Sequence, residues 1–245
     1  MCGRINVSSH PLAVLIMELA GRTFPGEDRY NVAPTEEVAV VRTARREVGA
    51  AALSRELASL RWWLTPYWSK DPSTRSSSTR YSSPTRYSMF NAKAETLTTS
   101  RAFREPFARR RCVVPVSGFY EWTRQNGQKL PHYIRPRDDG GMALAGIWDR
   151  WRAPDRTIES FAIVTVAVNE RLRFVHTRQP AMLDRAQIDT WLDPGAPQQT
   201  LLGMLSPALP GDLSVVPVST YVNNARNQGP RCIDPIGAPI EIARD

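Results

Sequence analysis

Residues 112–135 read CVVPVSGFYEWTRQNGQKLPHYIR. Apolar and β-branched density over 112–122 predicts a strand. Asn126-Gly127 is a pair suited to the positive φ angles of a two-residue hairpin turn, and the chain returns over 131–135. A hairpin of this kind makes its two strands antiparallel and sets the character of the surrounding sheet.

The flanking sequence extends the same pattern. Downstream, residues 143–151 and 158–168 predict two further strands, with Asn169 ending the second. Residues 184–192 (DRAQIDTWL) predict a helix capped by Asp184, with Gln187 three residues on as the reciprocal partner. Residues 213–218 predict a last strand. Upstream, 99–110 predicts a helix, LRWWLTPYW (60–68) is dense in aromatics and broken by Pro66, and EVAVVRT (37–43) predicts a strand. Near the start, 12–20 is a short apolar helix, with Pro11 in its first turn and Gly21 at its end. Many strands and few helices, without an internal repeat, predict a single, mostly antiparallel α+β domain spanning 1–245.

Composition restricts the class. Apolar residues make up 42% of 245, enough for one large core, and no run of about 18 apolar residues suggests a membrane span. The opening MCGRINVSSH lacks a signal-peptide pattern, so a cytoplasmic location is expected. The charge of +8 favours polyanions by long-range attraction, although a soluble basic enzyme has the same balance. Three widely spaced cysteines without a CxxC pair argue against a disulfide framework or a zinc site and fit a reducing compartment. Cys112, in RRRCVVPV, reads as core, and Cys232 has no assigned role. Residues 69–88 (SKDPSTRSSSTRYSSPTRYS) are poor in aliphatics and predict a mobile surface loop. Its arginines with Tyr81 and Tyr87 suit either nucleic-acid contact or a solvated insertion.

Cys2 bears directly on the chemistry. A small residue at position 2 permits removal of Met1, after which Cys2 would carry an α-amine and a thiol on adjacent carbons. Such a 1,2-aminothiol condenses with an aldehyde, first as an imine and then as a five-membered thiazolidine. The α-amine titrates near 7.7–8.0, leaving a useful neutral fraction, whereas a free thiol titrates near 8.5 and needs local help. Gly3 leaves the terminus unobstructed and Arg4 places a permanent cation beside it.

Four segments place polar groups in apolar or tightly turned surroundings: YNVAPT (30–35), NAKAET (91–96), SGFYEW (117–122) and VHTRQP (175–180). Glu121 between two aromatics is either a proton-transfer group with a raised pKa or a strand-end carboxylate paired with an arginine. His176 is either an acid–base group or a structural, hydrogen-bonded histidine. Asn91 can anchor an amine or a phosphate, or serve as a turn residue. Arg4, Lys93 and Arg178 are candidate phosphate contacts, and Trp62, Trp63, Trp68 and Phe90 are candidate stacking faces for unpaired bases unless buried as core.

These segments, with MCGR (1–4), RWWLTPYW (61–68), RRRCVVPVSGFYEW (109–122), AGIWDRW (145–151), VHTRQPAML (175–183) and VNNAR (222–226), occur in the order found in the SRAP family. The chain therefore resembles the SOS response-associated peptidase proteins over almost its whole length. The resemblance implies a compact, barrel-like antiparallel sheet with flanking helices. It also implies sensing of abasic sites in single-stranded DNA through a thiazolidine cross-link at Cys2. By motif, Asn91 would hold the Cys2 amine and the sugar. Glu121 would act as base or orient the amine, and His176 would act as acid on the ring oxygen. Arg4, Asn31, Pro34, Trp62, Trp63, Lys93 and Arg178 form the expected DNA-contacting set. No metal or cofactor, no membrane association and a monomeric state are expected. This chain departs from the family's usual pattern at Lys93 (usually Arg), Trp63 (usually Gly), Thr177 and Gln179, and in the longer loop over 73–88. These changes bear on affinity and substrate preference rather than on the reacting groups. A non-covalent single-strand binder and an N-terminal-nucleophile amidotransferase or peptidase are the competing classes, and an imine intermediate would also permit weak lyase activity.

Overall fold

The computed structural model of the chain describes residues 2–44, 54–70 and 88–245. Most of the Ser/Arg-rich stretch, with Tyr81 and Tyr87, lies outside the described residues, as does Met1. The first part of the chain forms β1 (Ile5–Val7), α1 (Ser9–Ala20), β2 (Arg29–Val32), β3 (Glu37–Thr43), β4 (Arg55–Trp62) and β5 (Asn91–Lys93). Next come α2 (Arg104–Arg109), β6 (Arg111–Val116), β7 (Gly118–Gln125), β8 (Gln128–Pro136), β9 (Met142–Arg152) and β10 (Thr157–Ala167). The last part forms β11 (Arg178–Pro180), β12 (Met182–Leu183), α3 (Arg185–Leu192), α4 (Gln198–Met204), β13 (Leu213–Pro217) and β14 (Ile240–Ile242).

The strands form two sheets. One runs β14-β13-β8-β7-β1-β2. The other runs β11-β10-β4-β3-β6-β9-β12, and pairing of β10 with β9 closes β10, β4, β3, β6 and β9 into a five-strand barrel. Closure leaves these five strands without an open edge to template pairing with other chains, while β11 and β12 remain as short end strands. Pairing is antiparallel except where β10 meets β4 and β5 in parallel, which confirms the mostly antiparallel α+β expectation. Leu12, Leu15, Ile16 and Leu19 of α1 are buried in the same core as Val38, Val40, Leu60, Val113 and Phe161 of the barrel. Gly21 ends α1 in the left-handed conformation, its N–H returning to the Met17 carbonyl.

The hairpin forms as read: Asn126 and Gly127 both have positive φ, and Gln125 faces Gln128. The α3 capping box is also present, with Asp184 and Gln187 bonded reciprocally. The strand expected over 112–122 is instead two strands in different sheets. The chain breaks at Ser117, whose N–H bonds to the Asn6 carbonyl and whose Oγ accepts from the Ser8 N–H at 3.0 Å. Gly118 allows the switch, because a Cβ there would lie 2.5 Å from the Ile134 carbonyl oxygen and from the Tyr133 ring. The switch places β7, and with it Glu121, beside β1. The helix expected over 99–110 shortens to α2, and the aromatic stretch 60–68 leaves its strand at Trp62. Hydrogen bonds to Ser160 Oγ and Asp149 Oδ2 then hold Thr65 and Tyr67 in a loop.

Candidate functional site

The β1–β7 ladder brings the chain terminus to Glu121. Ile5 faces Phe119, and the Tyr120 N–H donates to the Arg4 carbonyl at 3.0 Å, so in this antiparallel ladder the residues before Arg4 run toward Glu121 and the end of GFYEW. Cys2 is fully buried, and its carbonyl oxygen accepts a 2.7 Å hydrogen bond from Asn91 Nδ2. Asn91 opens β5, which is fixed in parallel register against Ile163–Thr165 of β10. Its Oδ1 is buried and has no hydrogen-bond partner among the described residues. That orphaned acceptor suits an N–H or O–H group entering the site.

The electrostatics link these groups. Burial raises Glu121 to about 7, opposed by the positive charge of the chain terminus, so near neutral pH this carboxyl exists in both protonation states. Burial also pushes the Cys2 thiol well up, and the nearby Glu121 charge pushes it further, so the thiol is held protonated. Burial lowers His176, and repulsion from the chain terminus adds to this. The neutral form of its ring is therefore favoured at neutral pH. His176 Nδ1 accepts the Arg178 backbone N–H at 2.9 Å, so the neutral ring carries its proton on Nε2. Cys2, Asn91 and Glu121 are thus brought together, and His176 senses the same terminal charge.

Several residues of the expected DNA-contacting set are engaged within the protein. Arg4 is buried, donating through Nη1 to Asn31 Oδ1 at 2.6 Å and to the Val222 carbonyl at 3.0 Å. Asn31 is fully buried and gives its Nδ2 to the carbonyls of Val222, Asn224 and Asn227. Both hold the β1–β2 edge to the segment that begins at Val222. Pro34 is buried as well. Trp62 is core: it stacks on Phe161 at 6.4 Å between centroids, and its Nε1 donates to the Phe90 carbonyl. Trp63 is half-buried against Phe90. Arg178 is engaged with Glu95 rather than directed freely at solvent. Lys93 is exposed.

The exposed aromatic faces nearby in sequence are Tyr67, at 55%, and Trp68, at 39%, with the Arg101 guanidinium 4.2 Å over the Trp68 ring. The role of the 222–227 carbonyls was missed in the sequence; its only signal there was VNNAR among the recurring motifs. Among the described residues, no cluster of three or more His, Cys, Asp or Glu side chains could hold a metal ion, and no helix is long and apolar enough to cross a membrane.

Comparisons with known proteins agree in one direction. The profile of the SOS response associated peptidase (SRAP) family matches residues 1–225. Abasic site processing protein YoqW of Bacillus subtilis is 30% identical over 240 residues, covering 96% of this chain and 99% of that protein. Abasic site processing protein HMCES of Xenopus tropicalis is 32% identical over 227 residues, covering 83% of this chain and 65% of that longer protein. Crystal structures of a Bacteroides thetaiotaomicron protein (TM-score 0.74, 21% identity, 96% of this chain and 99% of that one) and a Bordetella bronchiseptica protein (TM-score 0.71, 22% identity, 89% and 100%) share the fold.

Proposed function

The chain belongs to the SOS response-associated peptidase family, and from that premise we propose that it processes abasic sites in DNA, capturing them in single strands as a thiazolidine on Cys2. The observation that carries this reading is the burial of Cys2 with its carbonyl held by Asn91 and its thiol coupled to Glu121. The names of the relatives support the lesion class.

Removal of Met1 would put an α-amine beside the buried thiol. The thiol is held protonated, so the amine attacks first, adding to the open-chain aldehyde of the abasic sugar. Loss of one water gives the imine. The Cys2 sulfur then bonds to the imine carbon, its proton leaves and the nitrogen gains one, closing the thiazolidine with no change in oxidation state. Glu121, poised near 7, is suited to moving these protons. His176, donating through Nε2–H, is suited to hydrogen-bond the sugar ring oxygen and favour the open aldehyde. Holding amine, thiol and aldehyde together supplies much of the rate. The imine also permits β-elimination, so weak lyase activity accompanies the main reaction.

Tyr67 and Trp68 offer exposed faces for unstacked bases, and Lys93 offers a phosphate contact. A denaturing gel tests the proposal. Full-length protein with single-stranded DNA carrying one abasic site should give a heat-resistant shifted band that is absent with Cys2→Ala and with intact DNA. Reversible, salt-sensitive binding alone, equal for intact and abasic strands, would point to a non-covalent binder.

A further inference from the structure

We infer that Glu95 is a positioning residue for His176, acting through Arg178; the inference rests on the proposed role of His176. Asn91 opens β5 and His176 lies two residues before β11, two strands with no pairing to each other among the described residues. Strand β5 lies parallel to β10 over Ile163–Thr165, and β11 lies antiparallel to it over Thr165–Ala167. Glu95, in the 3-10 turn Ala94–Thr96 that follows β5, accepts Arg178 Nη1 at 2.5 Å and Nη2 at 3.0 Å. Arg178 Nη2 also donates to the Thr165 carbonyl at 2.6 Å. This fork therefore ties the segment bearing Asn91 to the strand beside His176, across the end of β10.

An ordinary exposed ion pair would contribute little. This one is bidentate, has a third bond to the backbone, and leaves the Arg178 side chain only 17% exposed. Glu95 is held below the usual carboxylate range, first by its hydrogen bond with Arg178. Strand β11 is three residues long and lies at a sheet edge, so its ladder alone restrains it weakly. The same residue that Glu95 grips gives its backbone N–H to His176 Nδ1. Fixing Arg178 therefore fixes both the ring and its tautomer, with the proton on Nε2. Arg178 accordingly acts as a structural link in the unliganded protein.

The test is nitrogen NMR of the imidazoles in the full-length protein without DNA, combined with cross-linking rates. The chain has three histidines, and His176→Gln assigns the signal. Wild type should show a single Nε2–H tautomer with a hydrogen-bonded Nδ1. Glu95→Gln should give a tautomer mixture and slow cross-linking about tenfold at saturating DNA, with affinity for an intact single-stranded oligonucleotide unchanged, and Arg178→Lys should give the same tautomer mixture. An unchanged His176 signal in both folded variants would overturn the inference. So would a change confined to oligonucleotide affinity, which would make Glu95 a competitor for a phosphate contact. Absence of any adduct with wild type would sink the proposed function, while the NMR signal would still decide whether Glu95 positions the ring.

Discussion

Asn91 Nδ2 donates to the carbonyl oxygen of Cys2 at 2.7 Å, joining residues 89 apart in sequence. The bond fixes the chain terminus against β10 through β5, while the other side of the Asn91 amide presents a buried acceptor without a partner. One side chain can therefore hold the backbone of Cys2 and receive a donor from the reacting groups.

Asn91→Ala should remove both functions. The cross-linking rate is expected to fall roughly 10²-fold, because misplacing reacting groups by about an ångström has effects of that size. The cost to stability should be about 1–3 kcal/mol, from a buried carbonyl left without its donor. Single-turnover rates and thermal melts measure the two separately. A rate close to wild type would show that Cys2 is positioned without Asn91.

The raised pKa of Glu121 gives two pH predictions of opposite sense. If its carboxylate serves as the base, the rate should rise with pH through about 7, and Glu121→Gln should lose that inflection. For stability, the folded state keeps a proton between 4.5 and about 7 that the unfolded chain releases, so this group's contribution falls as pH rises through that window. Glu121→Gln should flatten that slope and, above pH 7, recover of order 3 kcal/mol. Denaturant melts across the window, beside the pH–rate profile, test both. A slope of the same size in the variant would place the titration on another group.

Trp62 and Trp68 should separate folding from binding. Trp62→Ala empties a core position packed against Phe161 and Phe90, with an expected loss of 3–5 kcal/mol, about the range for large aromatic truncations. Trp68→Ala removes an exposed ring and should leave the melting temperature nearly unchanged. It should weaken single-strand binding by about 1–3 kcal/mol, the typical worth of one stacked base. Melting curves and oligonucleotide titrations distinguish them. Strong destabilisation by Trp68→Ala would contradict this division.

What could be read from the sequence was mostly local. The Asn126-Gly127 turn and the Asp184–Gln187 capping box depend on neighbouring residues, and both formed as read. The break at Ser117 could not be seen, because the apolar pattern runs through it. The deciding contacts come from Ser8, Ile134 and Tyr133, far away in sequence. The parallel pairing of β10 with β4 and β5 has no local signal, and β5, β11 and β12 are too short to show a period. Cys2, Asn91 and Glu121 stood out because their chemistry suited their context, and the family order reinforced each. Aromatic density identified the 60–68 segment but not which ring faces solvent: Trp62 turned inward and Trp68 outward. Charge alone did not reveal that the Arg4 guanidinium bonds to Asn31 and Val222 inside the protein.

The most direct test of the central claim is the intact mass, under denaturing conditions and without reductant, of full-length protein incubated with a single-stranded oligonucleotide bearing one abasic site. The account predicts a species equal to protein lacking Met1 plus oligonucleotide minus one water, mapping to Cys2 and missing with Cys2→Ala. Only the two separate masses, with Met1 confirmed absent, or an adduct mapping to another residue, would contradict it.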